Sequence, residues 1–144
     1  MIAVDTNLLL YAHRSDSDLH GPAREVLTAL VEGPATFALP WSVVHEYLCV
    51  STSRSRFEDP NPPGLACEQM DRLLCRPNVV LLSEARDHWS RLRPLIERAE
   101  VRGPLAYDAR IAATCVAHGV TELWTADRDF GRFPALKTRN PLVE

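Results

Sequence analysis

Apolar and polar positions along this chain fall into blocks that alternate between strand-like and helix-like patterning. Ile2, Ala3 and Val4 form a short apolar run without turn residues, which predicts a buried strand. The run stops at Asp5-Thr6-Asn7, residue types that begin helices, and Leu8, Leu9, Leu10 and Tyr11 continue as an apolar helical segment. After a polar loop at residues 15–18, residues 19–31 set Ala23, Val26, Leu27, Leu30 and Val31 on one helical stripe, ended by Gly33-Pro34. His20, at its start, reads as a solvated surface residue. Residues 35–39 predict a second buried strand. Pro40 then opens a helix over residues 42–53, where Val43, Val44, Tyr47, Leu48 and Val50 cover a wide apolar arc.

Residues 54–63, RSRFEDPNPP, are rich in breakers and form the best candidate for a mobile element. Helical patterning resumes over residues 65–75, Asn78 marks a turn, and residues 79–82 predict a third buried strand. Ser83 is placed to cap the next helix, with Glu84 and Asp87 at its positive end. That helix carries Ala85, Trp89, Leu92, Leu95, Ile96 and Ala99, and Pro94 is expected to kink or split it. Gly103-Pro104 leads into an Ala-rich helix over residues 105–118, apolar on nearly every side and stopped by Gly119. Residues 120–125 predict a fourth strand and residues 137–139 a short final edge strand. Alternation of strand and helix predicts an α/β fold: a parallel sheet with helices on both faces, in one domain spanning residues 1–144.

Composition narrows the class. A chain with 46% hydrophobic and 24% charged residues is an ordinary globular one, and no apolar run approaches the ~20 residues of a membrane span. No charged, apolar and cleavable leader is visible at the N-terminus, so a cytoplasmic location is expected. Cys49, Cys67, Cys75 and Cys115 form no CxxC pair and are expected to be reduced and mostly buried. The net charge of −3 does not by itself indicate a nucleic-acid partner. Fifteen of the sixteen basic residues are arginine, the side chain better suited to gripping phosphate.

The chemistry lies in the acids. Two predicted strands run out into carboxylates, the first into Asp5 and the fourth into Asp127 and Asp129. Glu46 interrupts an apolar arc, one turn after Val43 and one before Val50, where a bare carboxylate is costly. Asp108 stands at the start of an otherwise apolar helix. Each acid has a bland reading, Asp5 and Asp108 as helix-end charges and Glu46 as a rim residue. Aimed at one rim, they would repel one another unless cations held them together. Oxygen ligands without a His or Cys pattern suit Mg²⁺ or Mn²⁺, one ion or two. Without a Gly-rich phosphate loop or a nucleophilic Ser or Cys, such a site fits attack of a metal-activated water on a phosphodiester. Setting the five acids aside leaves the 16 basic residues in slight excess over the remaining acids. Arg54, Arg56, Arg110, Arg128 and Arg132 lie near the proposed rim in sequence and are candidates for holding a nucleic-acid backbone.

The motifs DTN after the first strand, Glu46 in PWSVVHEYL, Asp108 in GPLAYDARIAA and TADRDF followed by NPL together resemble a PIN domain. They resemble more closely the VapC toxins of bacterial toxin–antitoxin pairs, in family order from Asp5 to Leu142. The resemblance implies a three-layer α/β/α sandwich around a parallel sheet of four to five strands. It implies an Mg²⁺- or Mn²⁺-dependent endoribonuclease, a homodimer, an RNA substrate such as tRNA or rRNA, and inhibition by a cognate VapB-type antitoxin. Asp5, Glu46, Asp108 and Asp127 match the family's acidic quartet. Thr6, Asn7 and Thr125 match positions that orient the ligands, and Asp129 an auxiliary acid.

Three rivals bound this reading. A haloacid-dehalogenase-like phosphatase would need a second Asp two positions after the first, where this chain has Asn7. A receiver domain would need an Asp after a middle strand, where this chain has Ser83-Glu84. A metal-binding interaction module that has lost catalysis would keep the same acids.

Overall fold

The computed structural model describes residues 1–143. Five strands, β1 (Ile2–Val4), β2 (Phe37–Pro40), β3 (Val79–Leu82), β4 (Glu122–Trp124) and β5 (Thr138–Arg139), form one sheet in the order β3-β2-β1-β4-β5. Every pairing is parallel. The runs that form the centre are short and apolar at consecutive positions, and Ala3, Val4, Phe37, Ala38 and Leu39 are all buried. Burial of successive residues means that both faces of the central strands are covered, as parallel sheets require.

Six helices supply that cover: α1 (Thr6–His13), α2 (His20–Glu32), α3 (Trp41–Ser51), α4 (Pro63–Leu74), α5 (His88–Arg98) and α6 (Leu105–Ala117). A 3₁₀ turn at Arg128–Arg132 follows β4. α1 packs on α2 and α3, α3 also on α4 and α6, and α6 on α5. This is the expected α/β sandwich. Tyr47, Phe37, Phe130, Phe133, Leu9, Leu39, Ile111 and Leu123 are its largest fully buried side chains. α6 enters this core as its composition predicted, with Ala109, Ile111, Ala112, Ala113, Thr114 and Cys115 buried.

Strand order sets the location of the site. The chain lays β1, β2 and β3 outward in one direction, then returns to place β4 on the other flank of β1. The β1–β4 pair is therefore the topological switch point, where the loops leaving two adjacent strands diverge and open a crevice. Val4 pairs with Trp124, so Asp5 and Thr125 leave the sheet side by side.

Several local expectations change. Residues 79–82 do form a strand, but as an edge: Val80 and Leu81 are exposed because only β2 flanks β3. Pro40 closes β2 and occupies the position before α3. Asp87, not Ser83, stands before α5, and the helix continues through Pro94. No α5 residue is fully buried, so the carbonyl that Pro94 leaves without a donor remains within reach of water. Of the four cysteines only Cys115 is buried; Cys49, Cys67 and Cys75 are exposed, and all four are free. Burial pushes the Cys115 thiol up to about 12. His20 is half-buried, with Nδ1 3.1 Å from the Tyr11 carbonyl oxygen.

The breaker-rich loop is anchored. Arg14, only 8% exposed, makes two bonds to Asp16, at 3.0 and 2.6 Å, and donates to the Asp59 carbonyl at 3.1 Å. Its guanidinium lies 3.7 Å from the centroid of the Phe57 ring. Asn61 donates its backbone N–H to Ser51 and its side-chain amide to Gln69.

Candidate active site

Asp5 is the first residue beyond β1 and the one before α1, yet its side chain does not cap the helix. Its Oδ2 instead accepts from Asn7 Nδ2 at 2.5 Å and from Thr125 Oγ1 at 2.7 Å. Asn7 Nδ2 also reaches Thr125 Oγ1 at 3.0 Å, and Asn7 Oδ1 accepts from the Ala126 N–H at 3.1 Å. Thr125 Oγ1 accepts from the Asp127 N–H at 3.0 Å, and Asp127 Oδ1 caps the 3₁₀ turn by accepting from the Asp129 N–H at 2.8 Å. Asn7 and Thr125 thus tie the end of β1 to the end of β4 and fix the orientation of the Asp5 carboxylate.

Glu46 comes from α3 and is held by Thr6, whose hydroxyl donates to Oε2 at 2.5 Å. Asp108 comes from the first turn of α6. The charges of these groups act on one another. Burial is the main force raising Asp5 to about 7; the Thr125 hydroxyl and the Thr6 N–H oppose it, while Glu46 and Asp108 reinforce it. Asp108 is likewise raised to about 7, by burial first and then by Asp127, Glu46 and Asp129. All five acids singled out from the sequence therefore belong to one electrostatic neighbourhood.

The donor set suits a hard divalent cation. Every candidate ligand is an oxygen, and the negative charge exceeds what the surrounding residues neutralise. Ser42 lies four residues before Glu46 and shares its side of α3, and its buried hydroxyl has no partner. A helix-borne serine beside an acid has no distinctive pattern, so sequence reasoning missed it. Among the described residues, no three His, Cys, Asp or Glu side chains are drawn into ion-holding geometry. The fit is thus one of donor type, charge and location.

The arginines divide. Arg110 is paired with Glu84, so its guanidinium is already engaged by a carboxylate. Arg132 donates to the Ala99 carbonyl at 2.8 Å. Arg128 is exposed on the 3₁₀ turn directly after Asp127. Arg54 and Arg56 are exposed on the loop anchored by Arg14, just past the end of α1 opposite Asp5.

A family model described as PIN domain matches residues 2–136. The chain belongs to the PIN-domain family. It is 36% identical over 142 residues to Ribonuclease VapC43 of Mycobacterium tuberculosis, covering 99% of this chain and 96% of that protein. It is 31% identical over 137 residues to Ribonuclease VapC48 of the same organism, covering 95% of this chain and 94% of that one. These relatives place it in the VapC branch of the family. Among solved structures, M. tuberculosis VapC20, described as a sarcin–ricin-loop-cleaving toxin, superposes with a TM-score of 0.72 at 18% identity, covering 97% of this chain and all (100%) of that one. FitAcB from Neisseria gonorrhoeae reaches 0.72 at 18% identity with 100% of both chains covered. At such identities these two likenesses speak for the fold.

Proposed function

We propose that the protein is a divalent-metal-dependent endoribonuclease that hydrolyses RNA phosphodiester bonds and is neutralised by a VapB-type antitoxin. The observation that carries this reading is the gathering of Asp5, Glu46, Asp108, Asp127 and Asp129 at the switch point of the sheet, in a VapC-type chain. Asp5, Glu46, Asp108 and Asp127 would hold Mg²⁺ or Mn²⁺, with Asp129 auxiliary. Such an ion supplies an activated water and charge stabilisation at the phosphate. The chain's own contribution is orientation. Asn7 and Thr125 hold Asp5, Thr6 holds Glu46, and the Asp129 N–H holds Asp127, so three of the four carboxylates have their orientation fixed by the chain. Exposed Arg128 would meet the RNA backbone nearest the acids, while Arg54 and Arg56 would meet it further along. The named VapB-containing complexes among its structural relatives, such as VapBC2 from Rickettsia felis, support an antitoxin as partner, and a homodimer is the assembly expected for the family.

The test is cleavage of total cellular RNA by antitoxin-free protein with Mn²⁺, Mg²⁺ or EDTA, with the new 5′ ends sequenced and Asp5→Asn run alongside. Cuts at one or a few sites, lost with EDTA and in the variant, are expected. Absence of metal-dependent cuts from folded protein that binds Mn²⁺ would replace this reading with a binding module that has lost catalysis.

A further inference from the structure

The exposed aromatic side chains are distributed unevenly. Trp41, 39% exposed, is the first residue of α3, and Tyr107, 63% exposed, lies in the first turn of α6 immediately before Asp108. Trp41 directly follows β2, which runs parallel to β1, so it leaves the sheet at the same edge as Asp5. Trp89 is also exposed, but it begins α5 beside the opposite end of α6, where His118 Nε2 lies 2.7 Å from the Ser83 carbonyl oxygen.

Each of the first two aromatics shares a helix face with a cationic or titratable partner. Trp41 stacks obliquely on His45, one turn later, with ring centroids 6.4 Å apart. Tyr107 and Arg110 are three residues apart on α6 and share a face. Glu84 binds Arg110 and is held below the usual carboxylate range chiefly by that bond, with His88 and His45 adding to it. Glu46 and Asp108 belong to the same two helices, one position away from His45 and Tyr107 respectively.

We propose that Trp41 with His45 and Tyr107 with Arg110 form two base-stacking walls beside the acids, so that the enzyme takes an unpaired stretch of RNA with the bases flanking the scissile phosphate laid on these rings. An exposed ring gains by covering its face, and a nucleobase is the planar partner that arrives with a phosphodiester already directed at a metal-binding carboxylate set. Paired bases keep their faces in the duplex and would leave both walls unused. This inference rests on the ribonuclease reading for its substrate but is testable without turnover.

The experiment measures fluorescence anisotropy of a labelled, 2′-O-methylated single-stranded oligoribonucleotide and of the matching duplex, with wild type, Trp41→Ala, Tyr107→Ala and Tyr107→Phe in Mn²⁺. Circular dichroism checks that each variant is folded. Loss of one ring is expected to weaken binding of the single strand about ten-fold or more and to leave duplex binding unchanged. Tyr107→Phe, which keeps the ring, is expected to restore binding, and on cleavable RNA the alanine variants are expected to raise KM with kcat nearly constant. Folded alanine variants that bind the single strand like wild type would overturn the proposal while leaving the nuclease reading intact. It would also be overturned if the variants changed only self-association or antitoxin capture, which would make this a protein-docking patch. Failure of wild type to cleave RNA would strike the nuclease reading, and the anisotropy would still decide the stacking.

Discussion

The two ends of α1 each bury a charged side chain, and they resolve the resulting problem in opposite ways. At the C-terminal end Arg14, 8% exposed, is met by the Asp16 carboxylate, the Asp59 carbonyl and the face of Phe57. At the N-terminal end Asp5, 4% exposed, receives two neutral side-chain donors but has Glu46 and Asp108 as its charged neighbours. A buried charge answered within the chain is structural, here anchoring a long loop. A buried charge surrounded by its own kind awaits something from outside. The same helix therefore separates a part of the molecule built for stability from the part proposed to carry the chemistry.

The largest effect that would test this contrast comes from Asp5→Asn. Cleavage should fall by about 100-fold or more, whereas the melting temperature of the metal-free protein at pH 8 should hold or rise, because a repelling charge is removed. A large loss of stability would make Asp5 a structural residue like Arg14. Thr125→Val comes next. It removes the hydroxyl that orients Asp5 and accepts from Asp127, and should lower activity or Mn²⁺ affinity by about 10–100-fold.

Arg14→Ala should show the reverse pattern. Removing three hydrogen bonds and a ring contact should cost about 2–3 kcal/mol in denaturant unfolding, with kcat of the folded enzyme nearly unchanged. Asp16→Asn should cost less in the same unfolding measurement, because Asp16 is largely exposed.

The finest test is the pH dependence of stability in EDTA. Asp5 is raised from 3.8 to about 7 on folding, so the folded state binds the extra proton between those values. Its contribution is present in full below pH 3.8 and is lost as pH rises through 7. The wild-type melting temperature relative to Asp5→Asn should therefore fall between pH 5 and pH 8 by a few degrees, about 1 kcal/mol or more. The difference is the quantity to measure, because half-buried His13, pushed below its usual value by burial, titrates with the opposite sign. Saturating Mn²⁺ should flatten or reverse the difference, since the ion competes with the proton for the carboxylate. A difference independent of pH would show that Asp5 is ionised throughout.

Much of this could be read along the chain because the relevant signals are local. The strand-to-helix switch at Asp5-Thr6-Asn7, the acid inside the apolar arc of α3, Asp108 at the start of the Ala-rich α6 and TADRDF after β4 each stand out within a few residues. Their spacing also carried the PIN-domain resemblance, and with it the sandwich fold. The loop anchor was not legible, because Arg14 meets Asp59 across 45 positions and looks like any other arginine in its own segment. The cysteines, the edge position of β3 and the engagement of Arg110 by Glu84 were equally silent, since each depends on which element lies alongside.

By itself, the sequence singled out the acids proposed to carry the chemistry and the elements that hold them, because periodicity and chain-breaking residues act over one or two turns. Only the tertiary structure decided that the ends of β1 and β4 come to one rim. Asp5 and Asp127 lie 122 positions apart in the chain, and they share a rim because β4 returns to pair with β1 instead of extending the sheet beyond β3. That choice rests on burial of both faces of β1 and on the Asn7–Thr125–Asp5 hydrogen bonds across the join, which no segment satisfies alone.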